Sequence, residues 1–179
     1  MTSHRTAAHA LAGISALVLT VGFLSGCTPE PDPTPTPTAA FASEEEAFAA
    51  AEEVYRAYND AGNARLRGEQ SPDPQDFLIG TALEDDIDGL ELLRASGLQL
   101  VGEISVPRFT GQTAELEASG ARVVAIVCLD VSGTRVVNVD GADVTPAERP
   151  AKLSQEVTMV YADGSYLITE QAEAEAESC

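Results

Sequence analysis

The chain has 179 residues, a length that suits one modest domain with a single core. With 29 Asp and Glu against ten Lys and Arg it carries a formal charge of −19, which disfavours nucleic acid and anionic lipid headgroups as partners. That acidity reads first as a solvated surface, with an acidic face for cationic partners as the alternative.

The N-terminal stretch holds one basic residue, Arg5, then an uncharged apolar run from Leu11 to Leu24 that is short for a membrane span and suits a signal-peptide core. The run ends in Leu24-Ser25-Gly26-Cys27, the pattern of a bacterial lipobox, in which small residues let a peptidase approach the backbone and the cysteine thiol takes a diacylglyceryl group. An ordinary secretory signal followed by a chance cysteine is the competing reading, and the agreement of charge, apolar run, small residues and cysteine argues against it. The sequence thus predicts a leader at 1–26 and lipidation of Cys27, with acyl chains holding the protein on the outer side of the cell membrane. Residues 27–42 form a tether whose regular prolines favour an extended polyproline II stalk, and residues 43–179 form a single domain.

Both histidines, His4 and His9, fall in the leader, so imidazole chemistry and histidine-bearing zinc sites are absent from the expected mature chain. With Cys27 acylated, Cys128 and Cys179 remain as an even pair in an oxidising compartment. A disulfide pinning the C-terminal strand or tail to a central strand is the preferred reading, and two free thiols are the alternative.

Ser43-Glu44-Glu45-Glu46 reads as a capping box that opens a helix, with Phe48, Ala51, Tyr55, Tyr58 and Gly62 on one face through about Arg67. Asp73-Pro74 restarts a helix, a second capping box spans Thr81 to Glu84, and Leu83, Ile87, Leu90 and Leu93 share a face that Gly97 ends. From Leu98 the period becomes two. One strand is predicted over Leu98 to Val106, stopped by Pro107, and a second around Ala114, Leu116 and Ala118. Arg122 to Val131, apolar on both faces, marks a central strand, and Arg135 to Val139 follows a Ser-Gly turn. A loop runs to Pro150, and two further strands flank Asp163-Gly164, a primed-turn hairpin signal. The alternating Ala/Glu run from Ala172 to Glu177 either extends the last strand or frays.

Helices followed by antiparallel strands make an α+β plan, N-terminal helices packed on a curved sheet. This order resembles the nuclear transport factor 2-like cone shared with ketosteroid isomerase and SnoaL-type cyclases. More narrowly, Leu24 to Cys27, the Pro/Thr stalk, the segment Leu90 to Gly102, Val127-Cys128-Leu129-Asp130 and the terminal Cys179 resemble small actinobacterial lipoproteins of uncharacterised role. The resemblance implies a pocket wrapped by the sheet, and isomerases of this fold place a carboxylate and a tyrosine inside it. The weak catalytic candidates on those grounds are Tyr55, Tyr58 and Asp130. The structural reading outweighs the catalytic one: helix tyrosines usually pack with the hydroxyl at a rim, and an aspartate before Ser-Gly usually bonds its own turn.

Glu84-Asp85-Asp86-Ile87-Asp88-Gly89 has part of a calcium-loop spacing but puts Ala95 where a bidentate glutamate is required, so a solvated helix face is the better reading. No Gly-rich phosphate loop, C-x-x-C or Gly-x-Ser-x-Gly is present, and no cofactor or metal is expected. The function expected is a membrane-anchored, extracytoplasmic binding or interaction module without catalysis. Its partner is an envelope protein or a small apolar ligand. The alternatives are a small isomerase, dehydratase or cyclase, and a carrier of an apolar ligand in the same cavity.

Overall fold

Three glutamates at the positive end of a helix and a hydroxyl in front of them start the first element, α1 (Glu44–Leu66). The structure is a computed structural model that describes residues 40–175 and Cys179. The leader at 1–26, the lipidation at Cys27 and the tether to residue 39 lie outside the described residues. Ser43 Oγ accepts from the Glu46 amide at 3.2 Å, and the Glu46 carboxylate reaches back to the Ala42 amide at 2.7 Å, one residue earlier than a capping box requires. Phe41, assigned to the tether by composition, belongs to the domain: it is buried, with its ring centroid 4.7 Å from that of Tyr161 and 5.6 Å from that of Tyr166.

The restart at Asp73-Pro74 is a single 3-10 turn, Pro74–Phe77, capped by Asp73. The second helix, α2 (Gly80–Ala95), begins one residue before Thr81 and has no side-chain cap. The Thr81 to Glu84 capping box does not form, because the Thr81 hydroxyl donates instead to the Thr169 carbonyl at 3.0 Å and docks the helix start on the last strand. Gly97, at φ +63, follows the helix end as expected.

Among the described residues six strands follow: β1 (Leu98–Gly102), β2 (Ser105–Glu117), β3 (Gly120–Asp130), β4 (Thr134–Asn138), β5 (Lys152–Ala162) and β6 (Ser165–Glu173). They form two antiparallel sheets, a β1-β4 ribbon and a larger sheet in the order β2-β3-β5-β6, and no barrel closes among the described residues. The expected strand over Leu98 to Val106 is therefore two strands in two sheets, broken around Glu103 and Ile104. Pro107 does not end a strand. It lies within β2, at an irregularity between Ser105 and Arg108, and β2 is an edge strand where a missing amide hydrogen leaves no ladder bond broken. Asp163 and Gly164, at φ +53 and +92, make the primed two-residue turn between β5 and β6.

The inner face of the large sheet carries Val123, Ala125, Val127, Val157 and Met159, all fully buried beneath α1. Ala47 and Ala51 on α1 let the helix come close. Phe48 lies over Gly111 of β2, where a Cβ would overlap its ring. The fold is thus α+β, two helices on antiparallel sheets, as the order of elements predicts.

On the opposite face of β3, Cys128 is joined to Cys179 by a disulfide with Cα atoms 5.4 Å apart and a sequence separation of 51 residues. It ties the C-terminus to the central strand. Residues Thr36–Cys179 form one compact unit that holds the described core and this disulfide. Closing a loop of this length contributes about 4 kcal/mol in the chain-entropy account. The double variant Cys128→Ala, Cys179→Ala is expected to melt roughly 10 °C lower than the parent in thermal circular dichroism.

Candidate functional site

The cavity forms where the C-terminal half of α1 passes the end of the large sheet and the β1-β4 ribbon folds across it. Polar side chains on one stripe of the helix fix that junction. Asn63, 4 % exposed, accepts from the Ile104 amide and donates to the Ile104 carbonyl, both at 2.8 Å. Asn59 donates to the same carbonyl at 3.0 Å, and Arg56 donates to the Val106 carbonyl at 2.8 Å. The helix thus supplies the backbone partners that the chain lacks where it leaves β1 and enters β2.

The resulting cavity has a volume of about 300 Å³. Tyr55, Tyr58, Gly62 and Leu66 line it from the helix, Leu129 and Leu153 from the large sheet, and Arg149 reaches it from the β4-β5 loop. A second arginine, Arg65, also borders it. Its guanidinium is held by Asp86 of α2 through bonds of 2.9 and 2.6 Å, and Gln75 adds a third bond to the same carboxylate at 3.0 Å. Burial alone raises the Asp86 pKa, but the bonds from Arg65 and Gln75 and the Arg65 charge outweigh it and hold the carboxyl below its ordinary range.

Arg149 is fixed differently. It donates to Thr134 Oγ1 at 2.8 Å, to the Val131 carbonyl at 2.9 Å and to the Thr134 carbonyl at 2.7 Å. All three acceptors are neutral. Among the described residues no carboxylate lies within ion-pair distance of it.

The structure brings Tyr55 and Tyr58 together at the cavity, ring centroids 5.7 Å apart, and leaves Asp130 elsewhere. The Tyr55 hydroxyl makes a long bond to Gln155 and the Tyr58 hydroxyl a matching one to Gln171, each 3.4 Å. Burial pushes the pKa of both tyrosines up, so both hydroxyls stay protonated at neutral pH. Asp130 stands at the end of β3 with its carboxylate accepting from the Ser132 hydroxyl at 2.6 Å and the Ser132 amide at 3.0 Å. Those bonds hold its pKa below the ordinary range. Among the described residues no Asp or Glu lines the cavity; the carboxylate whose charge adds to the upward shift of Tyr58 is Asp86, which is held by Arg65 and Gln75.

The acidic run at Glu84 to Asp88 is helical throughout, and Asp86 is committed to Arg65. Among the described residues no three His, Cys, Asp or Glu side chains are grouped to hold a metal, and no helix is long and apolar enough to cross a membrane.

Sequence reasoning missed Asn63, Arg149, Gln155 and Gln171. Gln155 had a readable signal, because it falls in phase with Val157 and Met159, where the inward-facing set of β5 should be apolar. Gln171 had none: a register shift between Thr158 and Met159 of β5 against β6 reverses the phase of the last strand.

No family model and no curated protein matches the sequence. Among solved structures, the chain is similar to the crystal structure of the intermembrane space region of chloroplast protein ARC6. The identity is 12 % and the TM-score 0.49, covering 72 % of this chain and 97 % of that one.

The Asn63 bonds make a direct prediction. Asn63→Ala leaves the Ile104 amide without its partner and is expected to lower unfolding free energy by about 2 kcal/mol in urea titration. Asn59→Ala, which removes one of two donors to a shared carbonyl, is expected to cost less than half as much.

Proposed function

We propose that this chain is a lipid-anchored, extracytoplasmic protein whose domain binds a small, largely apolar ligand without transforming it. The cavity beneath the C-terminal half of α1 is the observation that carries this reading. It is walled by Leu66, Leu100, Leu129 and Val131, with a few hydrogen-bonding groups set among them, the usual composition of a small-molecule site. Proton transfer beside a carbonyl needs a base, and the described lining offers two tyrosines, neutral at physiological pH and shifted further from ionisation by burial, and no carboxylate. The resemblance to nuclear transport factor 2-like cones is supported by a long first helix laid over a one-sided antiparallel sheet.

Gly62 provides the test. It sits on the cavity wall in the interior of α1, and a Cβ there meets nothing within 4 Å. Gly62→Leu therefore fills the cavity and also removes a helix-weakening glycine, a gain of about 0.8 kcal/mol. Segment 40–179 is expected to bind the neutral fluorophore N-phenyl-1-naphthylamine with a saturable rise in emission, free of tryptophan background because the chain has none. Gly62→Leu is expected to abolish that rise while melting a few degrees higher. Binding that survives in the variant overturns the assignment of the site.

The anchor is tested separately. The full chain expressed in a bacterium that lipidates proteins is expected to enter the detergent phase on phase separation, and Cys27→Ala to stay in the aqueous phase. A Cys27→Ala protein that still follows the detergent overturns the lipid anchor.

A further inference from the structure

We infer that the cavity takes an amphipathic anion, an apolar body lying on the leucine and valine wall with a carboxylate or phosphate head paired with Arg149. This deepens the binding reading and rests on it. The starting observation is a contrast within one molecule. The chain has 29 acidic residues among 179, yet no Asp or Glu is found among the described residues that line the cavity, and both ionisable groups there other than the tyrosines are arginines.

The two arginines are not equivalent. Arg65 already faces Asp86 in a two-bond pair, so its charge is balanced. Arg149 is held by three neutral oxygens, which fix its position without neutralising it. Its Nε–H and one Nη1–H have no acceptor among the described residues. A guanidinium held rigidly beside an apolar wall loses little freedom when an anion arrives, and charge-assisted bonds to carboxylate or phosphate are the strong ones. Arg149 does act on one acidic group, Asp143, which does not line the cavity. Its carboxyl is held below its ordinary range first by its bonds from Thr145, and only in smaller part by Arg135 and Arg149.

Donors dominate the remaining polar lining. The side-chain oxygens of Gln155 and Gln171 accept from Tyr55 and Tyr58, which leaves both amide NH₂ groups as unused donors. Donors without acceptors suit an anion. The acidity of the whole surface does not reverse this, because at physiological salt it is screened beyond about 8 Å, whereas Arg149 acts at contact.

The test uses segment 40–179 and displacement of N-phenyl-1-naphthylamine by three ten-carbon probes: decanoate, decyl phosphate and decan-1-ol. The anions are expected to displace the fluorophore at about tenfold lower concentration than the alcohol, and the tighter of the two identifies the head. That advantage is expected to shrink as NaCl rises from about 0.05 to about 0.5 M. Arg149→Met is expected to bring the anions down to the affinity of the alcohol, and Arg149→Lys to restore part of the difference. Because Arg149 also ties down the turn after β3, the parent protein alone decides the question if Arg149→Met fails to fold. Decan-1-ol binding as tightly as both anions overturns the inference and leaves the binding reading standing. No displacement by any probe, with no binding of the fluorophore itself, overturns the binding reading as well.

Discussion

The contact between Asn63 and Ile104 is the constraint on which the rest of the domain depends. At Gly102 the chain must leave one sheet, and by Ser105 it must join another, so the backbone between them has no neighbouring strand. A buried asparagine side chain carries both a donor and an acceptor and presents to Ile104 what a strand would present. Gly102, at φ +106, lies against the Gly133 carbonyl where any side chain would collide, so the ribbon turns sharply at this point. The helix, the ribbon and the large sheet are thereby held apart by a fixed amount, and the gap between them is the cavity.

The large sheet is one-sided. Along β3, Val123, Ala125 and Val127 face α1 and are fully buried, while Val124 and Ile126 on the other face are only half-covered. The disulfide sits on this second face and holds the C-terminus across it. Hydrophobic burial therefore supports one face and a covalent tie the other. Such a division fits a small domain in which one helix must cover most of a four-stranded sheet.

Local signals in the sequence were read where they are governed by local physics. The start of α1, the glycine after α2, the central position of β3 and the Asp163-Gly164 hairpin all follow from capping, positive φ or alternation within a few residues. The errors have a common origin. Leu98 to Val106 alternates as one strand, and nothing within those residues records that Asn63, some forty positions earlier, takes Ile104 out of the ladder. Pro107 stops a central strand but is harmless on an edge, and edge position is a property of the assembled sheet. Thr81 has the right spacing for a capping box, yet the Thr169 carbonyl of β6 competes for its hydroxyl. The tyrosines of the site could be found from the helical period, but Arg149 lies in a loop whose position is set by Thr134 and Val131.

The packing of Phe41 against Tyr161 and Tyr166 has a mechanical consequence. These rings sit beside the β5-β6 hairpin, and Tyr161 pairs with Ala121 at the beginning of β3. Leu129 and Val131, which line the cavity, lie at the other extreme of that strand and just beyond it. The helix α1 starts three residues after Phe41, and the cavity lies under its C-terminal half, from Tyr55 to Leu66. Phe41 thus packs at one end of β3 and the cavity lies near the other. A load applied at Phe41 is therefore taken up by one stacked and two edge-on ring contacts at the hairpin pole, away from the cavity.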